Sequence, residues 1–210
     1  MNIVEKNLCS GLQSLALFPD ERQIQQLLDF INLIAKWNKT YNLTAIRNLD
    51  DMVSLHLLDS LAILPFITGN KVIDIGTGAG LPGIPLAICS PNIHFTLLDS
   101  NAKKTRFVQQ AVLELNLTNV TVCHQRVEDF LPEQRFETVL TRAFTNLADI
   151  VRLTNHLLTN KGVLLAMKGQ YPETELIELK VNATVIPMTI PGIAAQRCLV
   201  KIESSNTGVA

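Results

Sequence analysis

Asp74 stands two residues ahead of a glycine turn that reads Asp74-Ile75-Gly76-Thr77-Gly78-Ala79-Gly80-Leu81-Pro82-Gly83. Asp99 closes the next apolar run, Phe95-Thr96-Leu97-Leu98. Glycines at Gly76, Gly78 and Gly80 permit positive φ and let a ligand come close to the backbone. A carboxylate at Asp99 can accept hydrogen bonds from ribose hydroxyls. A pyrophosphate would be repelled by a carboxylate as near as Asp74. S-adenosylmethionine carries a sulfonium and an ammonium, has no phosphate, and can present its carboxylate to the helix that follows. The expectation is that Asp74 faces the cationic end of that cofactor; the alternative is a structural aspartate capping its own turn.

Further along lie Arg126-Val127-Glu128, Thr141-Arg142-Ala143-Phe144 and Lys168-Gly169, each closing an apolar run. In an open α/β sheet the working residues gather at such strand ends. Absent here are the Asn/Asp-Pro-Pro-Tyr/Phe run of exocyclic-amine methyltransferases and the cysteine nucleophile used on pyrimidine carbon. Guanine N7 has an in-plane lone pair and no proton, so it attacks a sulfonium methyl without a general base. Arg142 could bind a cofactor carboxylate, a phosphate or guanine O6, or form a buried ion pair. On spacing alone Lys168 reads as structural.

These residues need a frame. Val72, Ile73 and Ile75 form a buried strand, and Pro82 suits the first turn of a helix. The alternation continues with strands at His94–Asp99, Val120–Cys123, Phe136–Thr141 and Gly162–Lys168, and with helices at 102–115, 149–158 and 172–179. Two last strands, near Val181–Met188 and Arg197–Glu203, flank Pro191-Gly192. The fold class is α/β: a mostly parallel, Rossmann-like sheet of seven strands with a terminal antiparallel hairpin.

Ahead of it, a short helix at 4–18 precedes a longer one capped by Asp20, with Ile24, Leu27, Leu28, Ile31 and Ile34 on one stripe. Another starts near Asp50 and sets His56 close to Asp59. Residues 1–68 are therefore expected as a helical layer on the core, 69–203 as the main domain, and 204–210 as a flexible tail.

The 210 residues carry 18 Lys and Arg against 19 acids, a net charge of −1, so any polyanion surface must be local. Apolar residues make up 47%, enough for a core. Four cysteines without C-x-x-C spacing point to reduced thiols, no metal site and a cytoplasmic location. The glycines and prolines within 75–98 argue against a membrane span.

Taken together, Trp37-Asn38-Lys39-Thr40-Tyr41-Asn42-Leu43-Thr44, His56-Leu57-Leu58-Asp59-Ser60, the glycine turn through Pro85, Leu97-Leu98-Asp99-Ser100, Arg126-Val127-Glu128, Arg142-Ala143-Phe144 and Lys168-Gly169-Gln170 resemble the RsmG family. Its members are bacterial enzymes that methylate N7 of a guanine in the 530 loop of 16S ribosomal RNA. The resemblance implies a class I S-adenosylmethionine-dependent methyltransferase, acting as a monomer on 16S rRNA, within a small-subunit particle. It implies cofactor contacts from Gly76, Leu81, Val127, Glu128 and Arg142, with Asp99 near the ribose. Asn42, Arg47, His56, Arg126, Lys168 and Arg197 match positions facing RNA or the target base, and Arg142 and Lys168 are the candidate catalytic pair. Ala79 stands where many relatives have proline. Competing expectations are a small-molecule methyltransferase, a non-catalytic binding module, and an NAD-dependent oxidoreductase.

Overall fold

The computed structural model describes residues 2–204. The remainder of the expected tail, 205–210, lies outside the described residues. Seven strands form one sheet: β1 (Lys71–Ile75), β2 (His94–Asp99), β3 (Val120–His124), β4 (Phe136–Arg142), β5 (Leu158–Lys168), β6 (Thr184–Met188) and β7 (Arg197–Glu203). Their spatial order is β3-β2-β1-β4-β5-β7-β6, with β7 antiparallel to both neighbours and every other pairing parallel. The order reverses between β1 and β4, which is where such sheets open a crevice at their carboxyl edge.

Each face of this sheet collects its own core. Val72, Leu97, Leu140, Leu165 and Leu199 pack on one side with helices α1 (Ile3–Ser14), α2 (Glu21–Tyr41), α5 (Gly83–Cys89) and α6 (Ala102–Glu114). Ile73, Leu98, Val139, Leu164, Ala166 and Val200 pack on the other with α7 (Leu147–Thr154) and α8 (Glu173–Glu178). Side chains alternate along a strand, so Arg142 and Arg197 share the face of Leu140 and Leu199, beneath the helical layer. Lys168 shares the face of Leu164 and Ala166, beneath α7 and α8.

Helix α2 begins with a capping box: Asp20 accepts from Gln23 N (2.8 Å) and Gln23 Oε1 accepts from Asp20 N (2.9 Å). It ends at Asn42, which adopts the left-handed conformation with φ 48°. The first helix stops at Ser14, short of the expected 18, because Ala16 turns left-handed (φ 55°) and Leu17 N donates back to Leu12 O.

The helix expected from Asp50 is three pieces in one run. They are α3 (Leu49–Met52), a π-helical stretch (Val53–Leu58) and α4 (Asp59–Leu61). Between 149 and 162 the expected boundaries also shift. Thr154 Oγ1 donates to Ile150 O (2.8 Å), the helix tightens into a 3-10 turn at Asn155–Leu157, and β5 begins at Leu158. Polar Thr159-Asn160-Lys161, which falls between the expected helix and strand, rides in β5, where Leu158 pairs with Phe136 across a register irregularity.

Candidate functional site

Two cavities open at the carboxyl edge of the sheet and share Ala143. The first, of about 250 Å³, is lined by residues that include Gly76, Asp99, Lys104, Val127, Glu128 and Phe144. The second, of about 280 Å³, takes in Asp59, Arg142, Met167, Lys168, Met188 and Arg197. Ala143 itself has φ 50°. A left-handed alanine costs roughly 1–2 kcal/mol. This kink after β4 sends Arg142 to one cavity and Phe144 to the other. Phe144 covers Gly76, whose φ is +68°, so closely that a Cβ there would lie 2.7 Å from Phe144 Cδ2.

In the first cavity, Asp99 is held by the turn it faces. Its Oδ2 accepts from Gly78 N (2.8 Å) and its Oδ1 from Asn101 N (2.8 Å), which fixes the carboxylate while leaving lone pairs toward the cavity. Gly76, Asp99, Val127 and Glu128 are thus brought together. Gly78 (φ +60°) and Gly80 (φ +81°) shape the turn beside it, and Leu81 is buried in the core. None of these three is among the residues lining the cavity.

Asp74 differs from its expected position facing the cofactor cation. It is 0% exposed and lies beneath the turn, where Oδ2 accepts from Thr77 Oγ1 (2.7 Å) and from Gly83 N (3.0 Å). That is the bracing alternative. The N-terminus of α5 is correspondingly occupied: Gly83 N is bonded to Asp74 and Ile84 N to Gly80 O (2.8 Å). A cofactor carboxylate cannot use those two donors, contrary to the expectation from Pro82 and the glycines. Burial pushes the Asp74 carboxyl up to about 6, against the bonds from Thr77 and Gly83 that lower it. Its Oδ1 is buried with no hydrogen-bond partner.

The second cavity is framed by paired charges. Asp59, 4% exposed, receives Arg197 Nε on Oδ1 (3.1 Å) and faces Arg142 Nη1 from Oδ2 (3.4 Å). The latter contact is an ion pair without hydrogen-bond alignment, since Arg142 Nη1 is a buried donor with no acceptor. Arg142 Nη2 instead donates to Leu55 O (3.0 Å), a carbonyl of the π-helical stretch. Lys168 Nζ donates to both oxygens of Glu175 (3.1 and 2.9 Å) and to Thr145 O (3.1 Å), while Glu175 Oε2 also accepts from Leu147 N (2.6 Å).

The remaining expected residues scatter. Arg126 is exposed at the rim of the first cavity. Asn42 and Arg47 are exposed on the loop after α2. His56 is 3% exposed and therefore not on the surface; its Nε2 lies 3.0 Å from Thr44 Oγ1, and burial lowers its pKa to about 4. The sequence patterns point to neither Glu175 nor Lys104, bring in Phe144 only through the Arg142-Ala143-Phe144 run, and set Asp59 only beside His56. The period-2 pattern that puts Arg142 and Arg197 under the helical layer was the signal that could have found Asp59. Nothing local marks Glu175.

A family model described as rRNA small subunit methyltransferase G matches residues 23–199. A Legionella pneumophila protein named ribosomal RNA small subunit methyltransferase G is 52% identical over 180 residues, 86% of each chain. A Nitrosococcus oceani protein of the same name is 47% identical, covering 99% of this chain and 96% of its own. By structure, a SAM-dependent methyltransferase from Aquifex aeolicus superposes with TM-score 0.56 at 16% identity, over 73% of this chain and 92% of that one. That likeness speaks for the class I fold, and the sequence matches go further: this chain belongs to the rRNA small subunit methyltransferase G family.

Proposed function

We propose that the chain transfers a methyl group from S-adenosylmethionine to N7 of a guanine in 16S ribosomal RNA, with the small-subunit particle as substrate. The first cavity holds the cofactor: Asp99 takes the ribose hydroxyls, Val127 and Glu128 flank the adenine, and Gly76 with Phe144 forms the wall near the sulfur. The second cavity takes the guanine, so that N7 approaches the methyl group past Ala143. Arg126, Arg47 and Asn42 lie on exposed surface and are assigned to RNA contacts. His56, being buried, supports the helical layer.

The observation that carries this reading is the state of the groups around the second cavity. Asp59 is committed to two arginines, Lys168 to Glu175, and burial pushes the Cys198 thiol up. None is a ready base. An acceptor that must lose a proton is poorly served here, whereas guanine N7 needs none: its lone pair forms the N–C bond, the C–S bond breaks, and the pair goes to sulfur. The ring takes the positive charge that the sulfonium gives up. What the protein must supply is in-line positioning, for which well-placed groups are worth several orders of magnitude, and a field suited to that displaced charge.

The reading is tested with small subunits lacking the modification, labelled cofactor, and mass spectrometry of the product nucleoside. Incorporation at guanine N7 in 16S rRNA is expected. No incorporation, or methyl on another atom, overturns it.

A further inference from the structure

We infer that Asp59 is a positioning residue of the methyl-transfer site, acting by yoking Arg142 and Arg197 across the mouth of the acceptor cavity. This rests on the second cavity being the place where the acceptor base sits.

Three independent placements meet at this carboxylate. Arg142 ends β4, Arg197 begins β7, and strand parity turns both toward the helical layer. Asp59 comes down from that layer at the point where the π-helical stretch gives way to α4. Its two oxygens divide between the two guanidinium groups, one each. A buried carboxylate is costly unless paired, so this one is held in place by the same arginines that it holds.

The yoke matters for chemistry in two ways. Each arginine is anchored a second time away from the shared carboxylate: Arg142 Nη2 donates to Leu55 O (3.0 Å), and Arg197 Nη1 to Gln196 O (2.9 Å). The Arg142 side chain, 24% exposed and lining the cavity, is thus fixed by Asp59 and Leu55 O where a base oxygen or phosphate enters. Second, the guanine ring gains positive charge as the methyl arrives, beside two guanidinium groups. A carboxylate between them offsets one of those charges. An amide at position 59 would do neither, because its oxygen can serve one arginine while its NH₂ faces the other donor to donor.

The experiment is a mutant cycle read in steady-state kinetics on small-subunit particles. Asp59→Asn is expected to lower kcat by about 10- to 100-fold, the scale of a displaced positioning group, with the calorimetric Kd for S-adenosylhomocysteine within about twofold of the unchanged protein. In an Arg142→Gln/Arg197→Gln background, adding Asp59→Asn is expected to change kcat by less than about twofold, since the groups it acts through are gone. If Asp59→Asn does not fold, Asp59→Glu, which keeps the charge but shifts both contacts, is expected to give the same kcat-selective loss. A purely structural role predicts a lower melting temperature with kcat per folded molecule unchanged, or an equal loss in both backgrounds; either result overturns the inference. Wild-type protein that methylates nothing overturns the acceptor assignment itself, a distinct outcome.

Discussion

Replacing Asp74 by asparagine should make the protein more stable at neutral pH and a poorer binder of its cofactor. The carboxyl titrates at about 6 in the folded chain against an ordinary 3.8, with burial the largest cause. A carboxyl raised in this way gives stability that is fully present below pH 3.8 and is lost as pH rises through about 6. By linkage the ionised form costs the fold about 3 kcal/mol at pH 7. Asparagine can keep both observed bonds, since one amide oxygen can accept from Thr77 Oγ1 and Gly83 N, while its NH₂ takes the place of Oδ1 and gains no bond there. The gain should fall short of the full figure because neutral hydrogen bonds are weaker than charged ones. About 1–3 kcal/mol is expected, or roughly 2–4 °C of melting temperature per kcal/mol for a chain of this size. Denaturant melts at pH 4, 5, 6 and 7 read it out: the difference between Asp74→Asn and wild type should grow between pH 4 and 6 and then level off. S-adenosylhomocysteine lacks the sulfonium charge, so S-adenosylmethionine itself should show the larger loss of affinity by calorimetry. A variant less stable than wild type at pH 7, with a pH-independent difference, would refute the burial argument.

His56 should show the opposite sign in the same window. Its pKa falls from 6.5 to about 4 on burial, so its contribution is present above 6.5 and lost as pH falls through 4; in His56→Asn, acid stability measured by the same melts should decline less steeply than in wild type. Gly76→Ala needs a left-handed alanine and drives a Cβ to 2.7 Å from Phe144 Cδ2; at least a tenfold weaker Kd for S-adenosylhomocysteine is expected by calorimetry, with near-native circular dichroism. Glu175→Gln uncouples Lys168 from the N-terminus of α7; thermal melts should lose about 1 kcal/mol, while cofactor affinity, read by calorimetry, stays unchanged because the first cavity is untouched.

Much of this was legible in the chain itself, for physical reasons. Parallel strands buried on both faces appear as apolar runs, so Val72–Ile75, Phe95–Leu98 and Leu164–Ala166 announce themselves, and glycines at φ +68°, +60° and +81° mark the turn. The capped start of α2 was equally plain at Asp20. What local pattern could not reveal depends on partners far away in sequence. The π-helical stretch at Val53–Leu58 has the composition of an ordinary helix, yet it presents Leu55 O to Arg142, 87 residues distant. Asp74 illustrates the harder case. Its type and spacing pointed to a cofactor charge, whereas the hydrogen bonds of Thr77 and Gly83 draw the carboxylate beneath the turn. Asp74 therefore braces the loop, and Asp99 is the carboxylate of the turn that lines the cavity.

A crystal structure with S-adenosylhomocysteine bound bears most directly on the two-cavity arrangement. The nucleoside is predicted between Asp99, Val127 and Phe144, with its sulfur directed past Ala143 toward Arg142 and Lys168. Nucleoside density beside Met188 and Arg197, or sulfur turned away from Ala143, would contradict it.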